Sequence, residues 1–282
     1  MGRGVSRGVA QAGGTRMMGG MTTARRILLA GLAALAFLAG PIGADARTRL
    51  PELVPGVNGE LILPTDGVAP RAVLILLHGV EGPRPIYRSE GRMLAADGYA
   101  VLVLDYYAEA AGNVWTRRQR GQRWAACQAA LERAVNFVRS RSELPADRIG
   151  LIGFSQGAAV ALTTAPRLPG VDVVVDFFGP CPDGWYVARF MCGGGDLTGS
   201  LWAQMPPVLI LHGARDPVVP VSHARRLEAA LRAHEREVEL HIYQRERHGL
   251  HDPKNGLSRS TATADDAHRR VREFLDRHFP AS

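Results

Sequence analysis

Ser155, Asp216 and His248 have the chemistry for nucleophilic attack on a carbonyl carbon, and their order along the chain suits it. Ser155 stands in Gly153-Phe154-Ser155-Gln156-Gly157, a G-x-S-x-G pentapeptide. The apolar run Arg148-Ile149-Gly150-Leu151-Ile152 precedes it, and the helix-compatible run Ala158-Ala159-Val160-Ala161-Leu162 follows. Strand, sharp turn and helix is the context in which this motif presents a serine hydroxyl above a sheet edge. So tight a turn leaves no room for side chains nearby, which accounts for a glycine two positions away on each side. The helix that begins there offers unpaired N–H groups and the positive end of its dipole to a developing oxyanion. Three fixed residues in five are a weak signal alone, so the rest of the chain must supply a base, an acid and a second oxyanion donor.

A serine hydroxyl is a poor nucleophile at neutral pH unless a base takes its proton and an acid orients that base. Asp216 lies in His212-Gly213-Ala214-Arg215-Asp216-Pro217, just past the apolar run Val208–Leu211. His248 lies in Arg247-His248-Gly249, just past the last strand-like run. Serine, then acid, then histidine is the chain order of α/β-hydrolases. Ser155 is expected to attack, His248 to take and return the proton, and Asp216 to hold His248 in the right tautomer. The backbone N–H groups of Gln156 and of Val80, after His78-Gly79, are the expected oxyanion donors. His251 competes with His248 for the role of base, and Asp216, standing before a proline, has the alternative reading of a turn residue. His78 and His212 are read as loop-shaping residues; His223, His234, His268 and His278 are read as solvated positions on helices.

These residues need strands that end beside one another. Gly59–Leu63 reads as an edge strand, with an extended lead-in from Arg47 to Pro55. Ala72–Leu77, Tyr99–Leu104, the run into Ser155, Val171–Phe178, Val208–Leu211 and Glu237–Tyr243 read as strands, several of them apolar throughout as burial on both faces requires. Helices are expected over 88–97, 122–141, from Ser155 to about Ala165, 221–233 and 262–278, with loop-like stretches at 108–121 and up to Pro206. Alternating strands and helices imply an α/β fold with a mostly parallel central sheet and helices on both faces. Ligands of such sheets bind at the carboxyl ends of the strands, where the three residues fall.

The chain has 282 residues, 46% of them hydrophobic and 22% charged, within the range of a globular protein. Its N-terminus reads differently. Residues 1–20 are glycine-rich with scattered arginines, and Met21 is an alternative start. Arg25-Arg26, the apolar stretch Ile27–Gly40 and Ala44-Asp45-Ala46 form the pattern of a secretory signal peptide over 1–46, leaving one domain at 47–282 and an exported, periplasmic or secreted product. The apolar stretch is shorter than the roughly 20 residues of a spanning helix, so stable membrane insertion of the mature chain is not expected. Loss of the leader, which is +4, lowers the net charge from +7 to +3, which gives no reason to invoke nucleic acid. Cys181 and Cys192 bracket one stretch and are a candidate disulfide in an exported protein; three free thiols, with Cys127, are the alternative. No Cys/His spacing resembles a metal site, and the chemistry calls for no cofactor.

The motifs taken together resemble the dienelactone hydrolase family. The likeness covers most of residues 57–280. It rests on Leu77-His78-Gly79, Asp105-Tyr106-Tyr107, Asp147–Phe154, Val175-Asp176-Phe177-Phe178-Gly179, His212–Asp216 and His248-Gly249. The elbow also looks like that of carboxylesterases and acyl-protein thioesterases. The resemblance implies the α/β-hydrolase fold and hydrolytic chemistry. Dienelactone hydrolases proper carry a cysteine where this chain has Ser155. Their active-site glutamate would fall near Gly79, and their two substrate-binding arginines would fall at Glu109 and Ala224. Dienelactone as substrate is therefore not carried over.

The expectation is an exported serine hydrolase acting on a small-molecule carboxylic ester or thioester through an acyl-enzyme. Glu81, Tyr107, Trp185, Tyr186 and Trp202 are candidate pocket residues, the tryptophans and Tyr186 being loop anchors on the alternative reading. The arginines at 117, 118, 120 and 123 are candidates for binding an anionic substrate or else a solvated face. A serine peptidase of the same fold and a non-catalytic binding protein are the competing functions. Oligomeric state is not legible.

Overall fold

The computed structural model describes residues 52–53, 57–64, 68–108, 120–182, 199–250 and 262–280. Its strands are β1 (Glu52–Leu53), β2 (Gly59–Ile62), β3 (Val73–Leu77), β4 (Ala100–Leu104), β5 (Ile149–Phe154), β6 (Val171–Phe177), β7 (Val208–Gly213) and β8 (Val238–Tyr243). Its helices are α1 (Pro85–Ala96), α2 (Arg120–Ser140), α3 (Gln156–Thr164), α4 (Gly199–Trp202), α5 (Ser222–Ala233) and α6 (Ala262–His278). The strands form one sheet in the order β1-β2-β4-β3-β5-β6-β7-β8. β1 and β2, and β2 and β4, pair antiparallel; every other neighbour pair is parallel. This is the mostly parallel α/β sheet that the strand–helix alternation implies.

The apolar strands read as continuous runs because both their faces are covered. Val73, Ile75 and Leu77 of β3 join one core layer, with Trp124, Leu131 and Val135 of α2, Val160 of α3 and Leu227 of α5. Leu74 and Leu76 join the other, with Tyr87 and Leu94 of α1 and Phe274 and Leu275 of α6. Alternate side chains of one strand thus feed opposite layers, and β3, β5 and β7 are buried along their whole length. Each fully buried aliphatic side chain contributes about 1.5–3 kcal/mol by leaving water, which anchors the sheet whose ends must hold the site.

Four expectations are corrected. β2 is not the edge strand: Glu52 and Leu53, within the stretch read as a lead-in, pair with Leu61 and Glu60 and cover it. α1 begins three residues early, at Pro85, because a proline at the first helical position loses no intrahelical hydrogen bond. The stretch before Pro206 contains the short helix α4. His223 is 4% exposed and so is not a solvated helix position. It sits with Ala224, Leu227 and Leu231 on the buried stripe of α5, and its Nδ1 lies 3.3 Å from the Cys181 N–H. His268 pairs with Glu90 and ties α6 to α1, while His234 stacks on Trp202.

Candidate active site

β5 ends at Phe154 and α3 begins at Gln156, so the whole reversal is made at Ser155. Its φ of 52° and ψ of −110° lie where a side chain is strained. The flanking glycines show why the turn tolerates nothing larger. A Cβ on Gly153 would stand 2.4 Å from the backbone of Ala158, and one on Gly157 would stand 2.3 Å from Leu77 O. Gly153 lets α3 rise directly off the strand end, and Gly157 lets α3 lie against the end of β3. The Ser155 N–H donates to Phe177 O at 2.8 Å, which pins the elbow to β6.

β7 and β8 bring the other two groups. Gly213, the last residue of β7, packs against the carbonyls of Glu246 and Arg247, where a Cβ would be 2.6 Å away. The Arg215 N–H donates to Glu246 O at 2.9 Å, so the loop bearing Asp216 and the loop bearing His248 are joined backbone to backbone. Asp216 Oδ1 accepts from the N–H groups of Val218 and Val219, each at 2.8 Å. Asp216 Oδ2 lies 2.7 Å from His248 Nδ1, and His248 Nε2 lies 3.0 Å from Ser155 Oγ. Burial alone would raise the carboxyl pKa of Asp216, but hydrogen bonds from His212, His248 and the Val219 N–H outweigh it and hold the group well below the usual range. Asp216 is therefore ionised and can only accept. The shared proton then sits on His248 Nδ1, and the Nε2 lone pair points at the Ser155 hydroxyl.

The turn after β3 is held by three tyrosines. The Tyr106 hydroxyl donates to His78 O at 2.8 Å, and its ring stacks on His78 at 4.1 Å. The Gly79 N–H donates to Tyr87 Oη at 2.9 Å, and the Tyr87 hydroxyl donates to Glu81. The Tyr107 hydroxyl donates to Gln156 Oε1 and lies 3.3 Å from Val80 O. Tyr107 thus links the two segments whose N–H groups, at Val80 and Gln156, were singled out as oxyanion donors. Gln156 opens α3, so its N–H has no carbonyl partner in its own helix.

Of the candidate pocket residues, Glu81 and Tyr107 stand at this turn, whereas Trp202 does not. Trp202 is 7% exposed, packs in the core and stacks on His234 just past the end of α5, at the other end of the sheet from Ser155. It is a core residue, because it precedes β7, which runs from that end of the sheet toward Gly213 and the Asp216 loop, and α5 carries the chain back to the same end. Trp185, Tyr186, Phe190, Cys192, Glu109, Arg117, Arg118 and His251 lie outside the described residues, and with Cys192 so does the candidate disulfide. A cavity of about 550 Å³ opens beside the Val80 turn, with Glu60, Pro83, Arg84, Arg88 and Asp105 among its walls. The sequence reading did not point to it, since its walls come from three separate segments. It also passed over Phe178, whose φ is 46° and whose ring meets His248 edge-on at 4.9 Å. Among the described residues, no cluster of His, Cys, Asp or Glu is arranged to hold a metal ion. No helix among them is long and apolar enough to cross a membrane.

Comparison with known proteins agrees with this architecture. Mouse acyl-coenzyme A thioesterase 1 is 33% identical over 129 residues, which is 45% of this chain and 28% of the thioesterase. The chain thus spans under a third of the length of that relative. A probable 2-oxo-3-(5-oxofuran-2-ylidene)propanoate lactonase from Bradyrhizobium is 24% identical over 220 residues, or 75% of this chain and 82% of the lactonase. A putative dienelactone hydrolase of Klebsiella pneumoniae superposes with a TM-score of 0.64 at 18% identity, covering 81% of this chain and 97% of that one. Esterase 2 of Thermogutta terrifontis, phosphorylated by paraoxon, gives 0.62 at 19% identity, covering 82% and 94%. The dienelactone hydrolase family model matches residues 57–279, a span that takes in every element from β2 to α6, and the chain belongs to that family.

Proposed function

We propose that this protein is a serine hydrolase that cleaves a carboxylic ester or thioester of a small molecule through an acyl-enzyme. The observation that carries the reading is the relay from Ser155 Oγ to His248 Nε2 at 3.0 Å and from His248 Nδ1 to Asp216 Oδ2 at 2.7 Å. In this reading the Ser155 hydroxyl attacks the carbonyl carbon while His248 Nε2 takes its proton. The negative charge that gathers on the carbonyl oxygen is met by the N–H groups of Gln156 and Val80. Each such donor is worth about 3–4 kcal/mol of transition-state stabilisation. Ionised Asp216 stabilises the imidazolium that forms. His248 then protonates the leaving alcohol or thiol, and a water activated by the same imidazole releases the acid. Export through the leader at 1–46 belongs to the same proposal, supported by the Arg25-Arg26, Ile27–Gly40 and Ala44-Asp45-Ala46 pattern.

The test is hydrolysis of p-nitrophenyl esters and matched thioesters, from acetyl to long acyl chains, by the wild type and Ser155→Ala. Turnover by the wild type, its loss in the variant and fluorophosphonate labelling of Ser155 alone would support the reading. A wild type that neither turns over any of these substrates nor accepts the probe would overturn it in favour of a binding role. N-terminal sequencing of the exported protein tests the leader: a mature chain beginning at Arg47 is expected.

A further inference from the structure

Behind the Ser155 relay lies a second chain of buried polar groups that the reaction as written does not use. It runs through Asp176 on β6, His212 on β7 and back to Asp216. Asp176 and His212 are each 0% exposed. Both strands send these side chains to the face of the sheet covered by α3 and α5, the face of Val174 and Ile210. Asp176 Oδ1 accepts from the Gly179 N–H at 2.7 Å. His212 Nε2 lies 2.8 Å from Val219 O and 3.4 Å from Asp216 Oδ2. A carbonyl oxygen can only accept, so His212 carries a proton on Nε2. Among the described residues, neither Asp176 Oδ2 nor His212 Nδ1 has a hydrogen-bond partner.

Two isolated buried polar atoms on adjacent strands, one on an acid and one on a base, are costly unless their charges offset one another. If His212 were neutral, Asp176 and Asp216 would both be buried anions with no compensating cation between them. A second proton on His212, at Nδ1, removes that conflict. It leaves the group with a single net negative charge, which the His248 imidazolium matches during turnover. α3 carries no titratable side chain over Gln156–Thr164, and α5 brings His223 with Arg226 beside it. Burial lowers the His212 pKa, but the hydrogen bonds to Asp216 and Val219 O and the charges of Asp176 and Asp216 outweigh it and raise it overall. Burial pushes the Asp176 carboxyl up to about 6, opposed by His212 and the Gly179 N–H.

We propose that His212 is a positioning residue, held as an imidazolium beside the buried Asp216 carboxylate with that of Asp176 on the adjacent strand, and that it fixes Asp216 in the orientation His248 needs. Asp176 acts on the same histidine by a second route. By accepting from Gly179 it closes the turn that sets the Phe178 ring against His248. The proposal rests on the serine hydrolase reading for its kinetic consequence but not for the charge state of His212.

The experiment combines ¹⁵N-histidine NMR with kinetics on the wild type, Asp176→Asn and His212→Gln, the last assigning the His212 resonances. Wild type at pH 7 is expected to show both His212 nitrogens protonated. In Asp176→Asn, His212 should revert to the neutral form protonated at Nε2. In both variants kcat should fall on the order of tenfold with KM nearly unchanged, the signature of a misplaced catalytic group rather than a damaged pocket. A neutral His212 in the wild type at pH 7 overturns the proposal, and so does an unchanged kcat in folded variants. Should Asp176→Asn fail to fold, the wild-type spectrum and His212→Gln decide. A wild type with a charged His212 but no hydrolysis and no fluorophosphonate labelling would sink the hydrolase reading while leaving the charge assignment standing.

Discussion

The chain makes two left-handed turns at neighbouring strand ends, Ser155 after β5 and Phe178 after β6, with φ values of 52° and 46°. Each places a side chain beside His248: the hydroxyl in one case, the ring in the other. They are held differently. At Ser155 the constraint is backbone against backbone, because Gly153 meets the Ala158 backbone and Gly157 meets the carbonyls of Leu77 and His78. At Phe178 the N–H donates to Leu211 O at 2.9 Å, but the glycine that follows is held mainly by side chains: Gly179 donates to the Asp176 carboxylate, and its absent Cβ would stand 2.5 Å from Asp176 Oδ1 and 2.6 Å from Ala158 Cβ. A backbone contact cannot yield without moving a strand, whereas a carboxylate can swing. Ser155 is thus fixed rigidly, and the Phe178 ring beside His248 is fixed in part by an adjustable polar contact.

That contrast is open to test. The largest effect is expected from Ser155→Ala, which should lower p-nitrophenyl ester hydrolysis on the order of 10⁶-fold with an unchanged thermal midpoint. Asp216→Asn, which keeps the shape but lets His248 take the wrong tautomer, should lower kcat by about 10⁴-fold. The same residue governs acid stability. Its folded-state pKa is depressed, so its contribution is present above the ordinary aspartate value of about 4 and is lost as pH falls below it. Thermal midpoints measured across that range should fall in the wild type and fall less steeply in Asp216→Asn.

The two turns can then be compared directly. Gly157→Ala should destabilise by about 3 kcal/mol or more in urea unfolding, since the new methyl would meet Leu77 O, whereas Gly179→Ala should cost less, about 1–3 kcal/mol, because Asp176 can move aside although the methyl would also stand 2.6 Å from Ala158 Cβ. Equal costs would mean that the second turn is as rigid as the first. The smallest effect is expected from Phe178→Leu, which keeps most of the volume and the strained backbone but removes the ring edge from His248. It should cost less than about 1.5 kcal/mol in stability and lower kcat a few-fold, with KM unchanged.

Much of this molecule was legible residue by residue. The strands β3 to β7 showed as apolar runs because burial on both faces leaves no polar alternation, and α6 matched its apolar period over the whole of Ala262–His278. The edge of the sheet was not legible. β1 is two residues long, and its pairing with β2 is a long-range register that carries no local pattern. His223 was misread although a signal existed: at four-residue spacing from Leu227 and Leu231 it lies on the apolar stripe of α5. Trp202 carried no such signal, because an aromatic in an irregular stretch serves a pocket wall or a core equally well.

The sequence alone determined the class of fold, the family and the residue types of the proposed relay. Those are written in local constraints: strand periodicity, glycines where backbones touch, and a serine, an acid and a histidine each just beyond a strand. Only the tertiary structure decided which groups stand together. That His212 Nε2 approaches Asp216, that Asp176 stands on the adjacent strand, that Tyr107 joins Val80 to Gln156 and that Phe178 meets His248 depends on the lateral order β3-β5-β6-β7-β8 and on the register of each pair. Sheet order is a sum of long-range contacts between strands that each look alike in sequence, so no single stretch of the chain encodes it.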